Sequence, residues 1–249
     1  MGSIPENRKH WGETYAWSRG GEEWSDSWGG SRNQWEFTLR PRLARFLPAA
    51  RIVEIGCGHG RWTSFLREQA EQVVALDLVD SCVEACRQRF AGDARVVCRP
   101  TDGATLSGVA DASVDLVFSF DSLVHAELDE LEGYLREAAR CLRPDGVAFL
   151  HHSNFFEILA LRPGSWNHHW RAESVSAERF AERCAAAGLR CVRQEIVDWG
   201  GIEDCDVLSL VTRPGSRWDG PPRVERNRWF MGEAYSLGVR ARLYGEPPA

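Results

Sequence analysis

Through the middle of the chain, short apolar runs that end on polar or glycine-rich residues alternate with stretches whose apolar positions recur every three or four residues. The first run, Arg51-Ile-Val-Glu-Ile55, enters Gly56-Cys-Gly-His-Gly60 and predicts a buried strand opening into a tight turn, with a helix over about 61–72 behind it. A second strand, 72–77, ends on Asp77. A helix over 80–90 and a short strand, 95–98, lead to Asp102-Gly103, and a fourth strand, 114–120, ends at Asp121. Leu131, Tyr134, Leu135, Ala138 and Leu142 mark a helix that Pro144-Asp-Gly146 closes. Val147-Ala-Phe-Leu150 forms a fifth strand ending on His151-His-Ser-Asn154. A helix over 176–187 precedes two closing strands, 189–199 and 206–212. The alternation predicts an α/β domain: a doubly wound, mostly parallel sheet of seven strands whose last two form an antiparallel pair.

The flanks differ. Residues 1 to about 36 show no clean period, although Trp11, Trp17, Trp24, Trp28 and Trp35 all fall there. A helical pattern over 35–46 is interrupted by Pro41. The expected organisation is an N-terminal aromatic lid over 1–46, a domain over 47–214 and a C-terminal tail over 215–249 that wraps the body or joins a second subunit. An insertion over 155–174 separates the fifth strand from the next helix. The early tryptophans either pack on the sheet edge or contact a ligand, and the pattern leaves both open.

Composition narrows the function. A chain of 249 residues with 43% hydrophobic content supports a substantial core. The net charge of −6 argues against a nucleic-acid backbone as partner. No apolar run is long enough to span a membrane and no leader pattern opens the chain, so a cytoplasmic protein is expected. The eight cysteines fall mostly inside predicted strands and helices, as buried hydrophobes in a reducing compartment rather than a disulfide or zinc framework.

The chemistry collects at the carboxyl ends of the strands, where open α/β sheets bind ligands. Gly56 and Gly58 allow positive φ and close approach of a ligand to the backbone. The next helix presents free N–H groups there. Asp77, about twenty residues on, stands where a doubly wound fold places the acid that takes ribose hydroxyls. The spacing Gly56-x-Gly58-x-Gly60 departs from the G-x-G-x-x-G of dinucleotide dehydrogenases.

Val53-Glu-Ile-Gly-Cys-Gly-His-Gly60, Asp77, Thr101-Asp-Gly103 and Val114-Asp-Leu-Val-Phe-Ser-Phe-Asp121 together resemble the class I S-adenosylmethionine-dependent methyltransferases, over about 47–211. The resemblance implies a Rossmann-like methyltransferase fold and S-adenosylmethionine as cofactor. Glu54, Gly56, Gly58 and Gly60 would hold its amino-acid end and Asp77 its ribose, with Leu78, Gly103 and Phe120 as further contacts. Asp102 would take the adenine amino group, or act only as a turn former. The acceptor is a small molecule. The stretches 118–125 and 151–154 resemble bacterial enzymes acting on sugars or glycosylated natural products, as in antibiotic biosynthesis, and an amine acceptor such as an aminosugar is the alternative. A noncatalytic cofactor-binding protein is a third possibility. His125 and His152 are the candidate bases, with Asp121 orienting either. The fifth strand ends without an acid, so no metal is expected, and a homo-oligomer stays open.

Overall fold

Alternation along the first strand turns Ile52 to one face of the sheet and Val53 to the other, and both are fully buried. A sheet apolar on both faces needs cover on both. The computed structural model describes residues 2–245 and supplies it. Eight strands, β1 (Ala49–Ile55), β2 (Ala70–Asp77), β3 (Val96–Pro100), β4 (Val114–Ser119), β5 (Leu142–Ser153), β6 (Arg190–Trp199), β7 (Ile202–Thr212) and β8 (Arg223–Asn227), lie in the order β3-β2-β1-β4-β5-β7-β6-β8. Only β7 runs antiparallel to its neighbours. The helices of the described residues are α1 (Ile4–Lys9), α2 (Ser31–Gln34), α3 (Arg40–Leu43), α4 (Thr63–Leu66), α5 (Asp80–Arg89), α6 (Leu128–Cys141), α7 (Phe155–Leu161), α8 (Ala177–Ala186) and α9 (Phe230–Gly245).

One core joins Val53, Val74 and Leu76 to Leu131 and Leu135 of α6 and to Phe180 of α8. The opposite core joins Ile52, Leu116 and Phe118 to Trp28, Trp35 and Leu39 from the N-terminal segment and to Phe230 of α9. The chain's two ends thus cover the same face of the sheet. Arg42 ties them together, reaching Glu195 of β6 at 2.6 Å and Glu233 of α9 at 2.8 Å.

Three expectations are corrected. The tail adds an eighth strand, β8, parallel to β6, where seven strands were expected. The interruption at Pro41 is absorbed by a π-helical turn over Trp35–Leu39, which widens the ladder just before the residue that lacks an N–H, so the helical path runs on from α2 to α3. The segment over 144–146, expected as a closing turn, lies inside β5, which bends there through a register shift against β4. All eight cysteines are free, and no helix among the described residues is long and apolar enough to cross a membrane.

Candidate active site

The strand order reverses between β1 and β4, and the cleft opens above that switch point. The empty space within it, open solvent at its mouth included, is about 910 Å³. The glycine turn forms its floor. Gly56 and Cys57 donate their N–H groups to Leu76 O at 2.8 and 3.0 Å, pinning the turn to β2. Gly56 has φ +74°, and a Cβ there would lie 1.8 Å from Ser122 Oγ, so only glycine fits. Asp77 accepts N–H bonds from Gly58 at 2.7 Å and Val79 at 2.9 Å. Burial raises its pKa, and these two bonds oppose that rise. An ionised carboxylate has about four acceptor positions, so roughly two remain for a ligand.

Across the cleft, β4 delivers Phe120 and Asp121. Asp121 has φ +60°, a conformation that costs a non-glycine residue energy and is held here from behind. Its N–H donates to His151 Nδ1 at 3.1 Å, leaving the imidazole proton on Nε2. That atom lies 3.2 Å from Asp206 Oδ2, too far off line for a hydrogen bond. Asp206 is itself gripped by Arg171, at 2.9 Å through Nε and 2.7 Å through Nη2. Burial would push the Asp206 carboxyl up, but Arg171 and His151 hold it well below its usual range. The same short segment fixes His125, whose Nδ1 donates to Trp170 O at 2.9 Å. The Nε2 lone pair of His125 is therefore free of that bond. Burial, and after it the Arg171 charge, lower the His125 pKa to about 4, against the pull of the Trp170 carbonyl.

The N-terminal segment closes the top. Trp11, Trp17 and Trp24 line the cleft. The Trp17 ring stacks on His59 at 4.4 Å and lies over Gly58, where a Cβ would come within 2.9 Å of it. Asn7 of α1 donates to His125 O at 2.8 Å. Trp28 and Trp35 are buried in the core instead, so the early tryptophans divide between the two roles.

Residues 53–150 match the family model of the methyltransferase domain. Phosphoethanolamine N-methyltransferase 1 of Triticum aestivum is 30% identical over 47% of this chain and 25% of its own length. The malonyl-[acyl-carrier protein] O-methyltransferase of Serratia marcescens is 34% identical over 40% of the chain and 37% of its own. The chain thus spans a quarter of the one relative and little more than a third of the other. Among solved structures, the PH0226 protein of Pyrococcus horikoshii OT3 superimposes with a TM-score of 0.59 at 19% identity, covering 82% of this chain and 95% of that one. The fold is the Rossmann-like methyltransferase fold, and S-adenosylmethionine is the cofactor of the domain.

Around the cleft, the expected residues divide. Gly56, Gly58, Asp77, Leu78, Gly103, Phe120, Asp121 and His125 line it. Glu54 stands behind the glycine turn: it is buried, accepts from Thr63 Oγ1 and leaves Oε1 without a partner. Burial raises its pKa to about 8. Gly60 also lies behind, where a Cβ would meet the Phe90 ring at 2.5 Å. Asp102 is exposed outside the cleft and accepts from Ala104 N, Thr105 N and Thr105 Oγ1, the work of a turn former. His152 is excluded by the reach of β5. The strand continues to Ser153, so His151 faces the Asp121 side while His152 turns to the other core. There His152 stacks on Phe180 at 3.9 Å and accepts from Ser209 Oγ at 2.8 Å. Desolvation lowers its pKa to about 3.

Sequence reasoning missed Arg61, which reads only as the start of a helix. Its guanidinium is buried, bonds Asp121 Oδ2 and Ser25 Oγ at 3.0 Å each, and lies 4.4 Å from the Trp62 ring. A charge placed immediately after the glycine turn was the available signal.

Proposed function

We propose that this chain transfers the methyl group of S-adenosylmethionine to a hydroxyl of a small acceptor, a sugar or a glycosylated natural product. The observation that carries this is the facing of two walls: a glycine turn with Asp77 on one side, and His125 among aromatic rings on the other. S-adenosylmethionine, when bound, supplies an electrophilic methyl on a sulfonium. Asp77 has acceptor capacity left for a pair of ribose hydroxyls, and Gly56 leaves room where any side chain would clash. Trp11, Trp17 and Trp24 offer flat faces to a sugar ring and keep water from the transfer path. His125 Nε2 takes the acceptor proton, and Asp121, held by Arg61 and His151, orients the acceptor.

The low basicity of His125 favours a second reading. A base with a pKa near 4 is poorly matched to an alcohol at neutral pH, whereas an amine that arrives uncharged needs less help. The Triticum aestivum relative is named for transfer to nitrogen. Turnover with paired hydroxyl and amino sugars separates the two. With a hydroxyl acceptor, His125→Ala lowers turnover by about a hundredfold or more. The acidic limb of the wild-type rate profile then falls near pH 4, because His125 loses its lone pair only below that value. Full activity in His125→Ala, or a limb near the ordinary imidazole value, overturns the hydroxyl mechanism.

A further inference from the structure

Ile4, Leu78, Gly103, Ala126, Glu130 and Tyr134 all line the cleft. A Cβ on Gly103 would meet Ile4 at 3.0 Å and Leu78 at 3.3 Å, so these side chains pack around an open backbone. Glu130 and Tyr134 stand four residues apart on α6 and share its inward face. Glu130 Oε2 is buried and accepts no hydrogen bond. Desolvation, with Glu127 and Asp129 nearby, raises its pKa. An acceptor taken out of water without a donor is costly, and a bound ligand carrying a donor removes the cost. Asp102 is not placed to supply that acceptor, because its side chain is exposed outside the cleft, where three bonds from Ala104 and Thr105 hold it in the turn over 102–105.

We propose that Glu130 reads the base of the cofactor: the exocyclic amino group of adenine donates to Glu130 Oε2, and the ring lies against Ile4 and Leu78 beside the open Gly103 backbone. The assignment rests on the proposed binding of S-adenosylmethionine in this cleft and names the residue that selects adenine over a 6-oxo purine. An oxo group in that place sets oxygen against carboxylate. A glutamine at position 130 reverses the pairing, because its amide can donate.

The test is calorimetry with S-adenosylhomocysteine and its 6-oxo analogue, S-inosylhomocysteine, on the wild type, Glu130→Gln and Asp102→Asn. The wild type binds the adenine compound at least tenfold more tightly than the oxo compound. Glu130→Gln shrinks that preference about tenfold or inverts it, chiefly by gaining affinity for the oxo compound. Asp102→Asn behaves as the wild type. A preference unchanged in Glu130→Gln, or lost in Asp102→Asn, overturns the assignment while leaving the cofactor site standing. If the wild type binds neither compound, the cofactor reading of the cleft falls and this assignment with it. Melting temperatures within a degree or two of the wild type show that the variants are folded, as expected for a side chain at the cleft edge.

Discussion

The two walls of the cleft are built by different means. The wall of the glycine turn comes from one continuous stretch, β1 through Asp77, and its geometry is set by the backbone: positive φ at Gly56 and Gly58, and a carboxylate that accepts the N–H groups of Gly58 and Val79. The wall of Asp121 gathers residues from four separate segments. Asp121 follows β4, His151 lies two residues before the end of β5, Arg171 lies in the insertion and Asp206 lies on β7, and buried polar contacts join them. A wall made from backbone tolerates changes in neighbouring side chains. A wall made from an ion pair depends on every partner.

That contrast is broken most sharply at Asp206. Asp206→Ala leaves Arg171 buried without its carboxylate and should cost about 3–5 kcal/mol in urea unfolding at pH 7. Because Asp206 titrates lower in the folded state than unfolded, its contribution is complete above the ordinary carboxylate pKa and is lost as pH falls below it. The gap between variant and wild type should therefore narrow in acid. A loss within about 0.5 kcal/mol at pH 7 would show that the Asp121 wall is held by something else. Deleting residues 2–20 probes the lid. It removes Trp11 and Trp17 but keeps Trp28, whose ring packs 5.1 Å from Trp199. The shortened chain should stay folded and lose turnover through water entering the site, while retaining cofactor affinity within about tenfold. Full turnover after the deletion would remove the lid from the account.

The same difference decides what the sequence could reveal. Strand periodicity and glycine spacing are local, so the sheet, its closing antiparallel pair and the glycine turn that runs into the cleft were legible. Strand β8 was not: Arg223-Val-Glu-Arg-Asn227 carries one apolar residue and no alternation, and pairing with β6 creates it. His152 was mistaken for the site-facing histidine because the face turns on where β5 stops, a length fixed by pairing out to Asp206. For Asp102 the sequence left two roles open, and the structure shows it bonded within its own turn. Arg61 escaped notice because its partners, Asp121 and Ser25, lie 60 and 36 residues away.

The most direct test of the central claim, that this cleft holds S-adenosylmethionine through the glycine turn and Asp77, is calorimetry with S-adenosylhomocysteine on the wild type and Asp77→Ala at neutral pH. Loss of a charged acceptor should weaken binding by about 1.5–3 kcal/mol, roughly ten- to a hundredfold. Undiminished affinity in a folded Asp77→Ala protein, or no binding by the wild type, would contradict it.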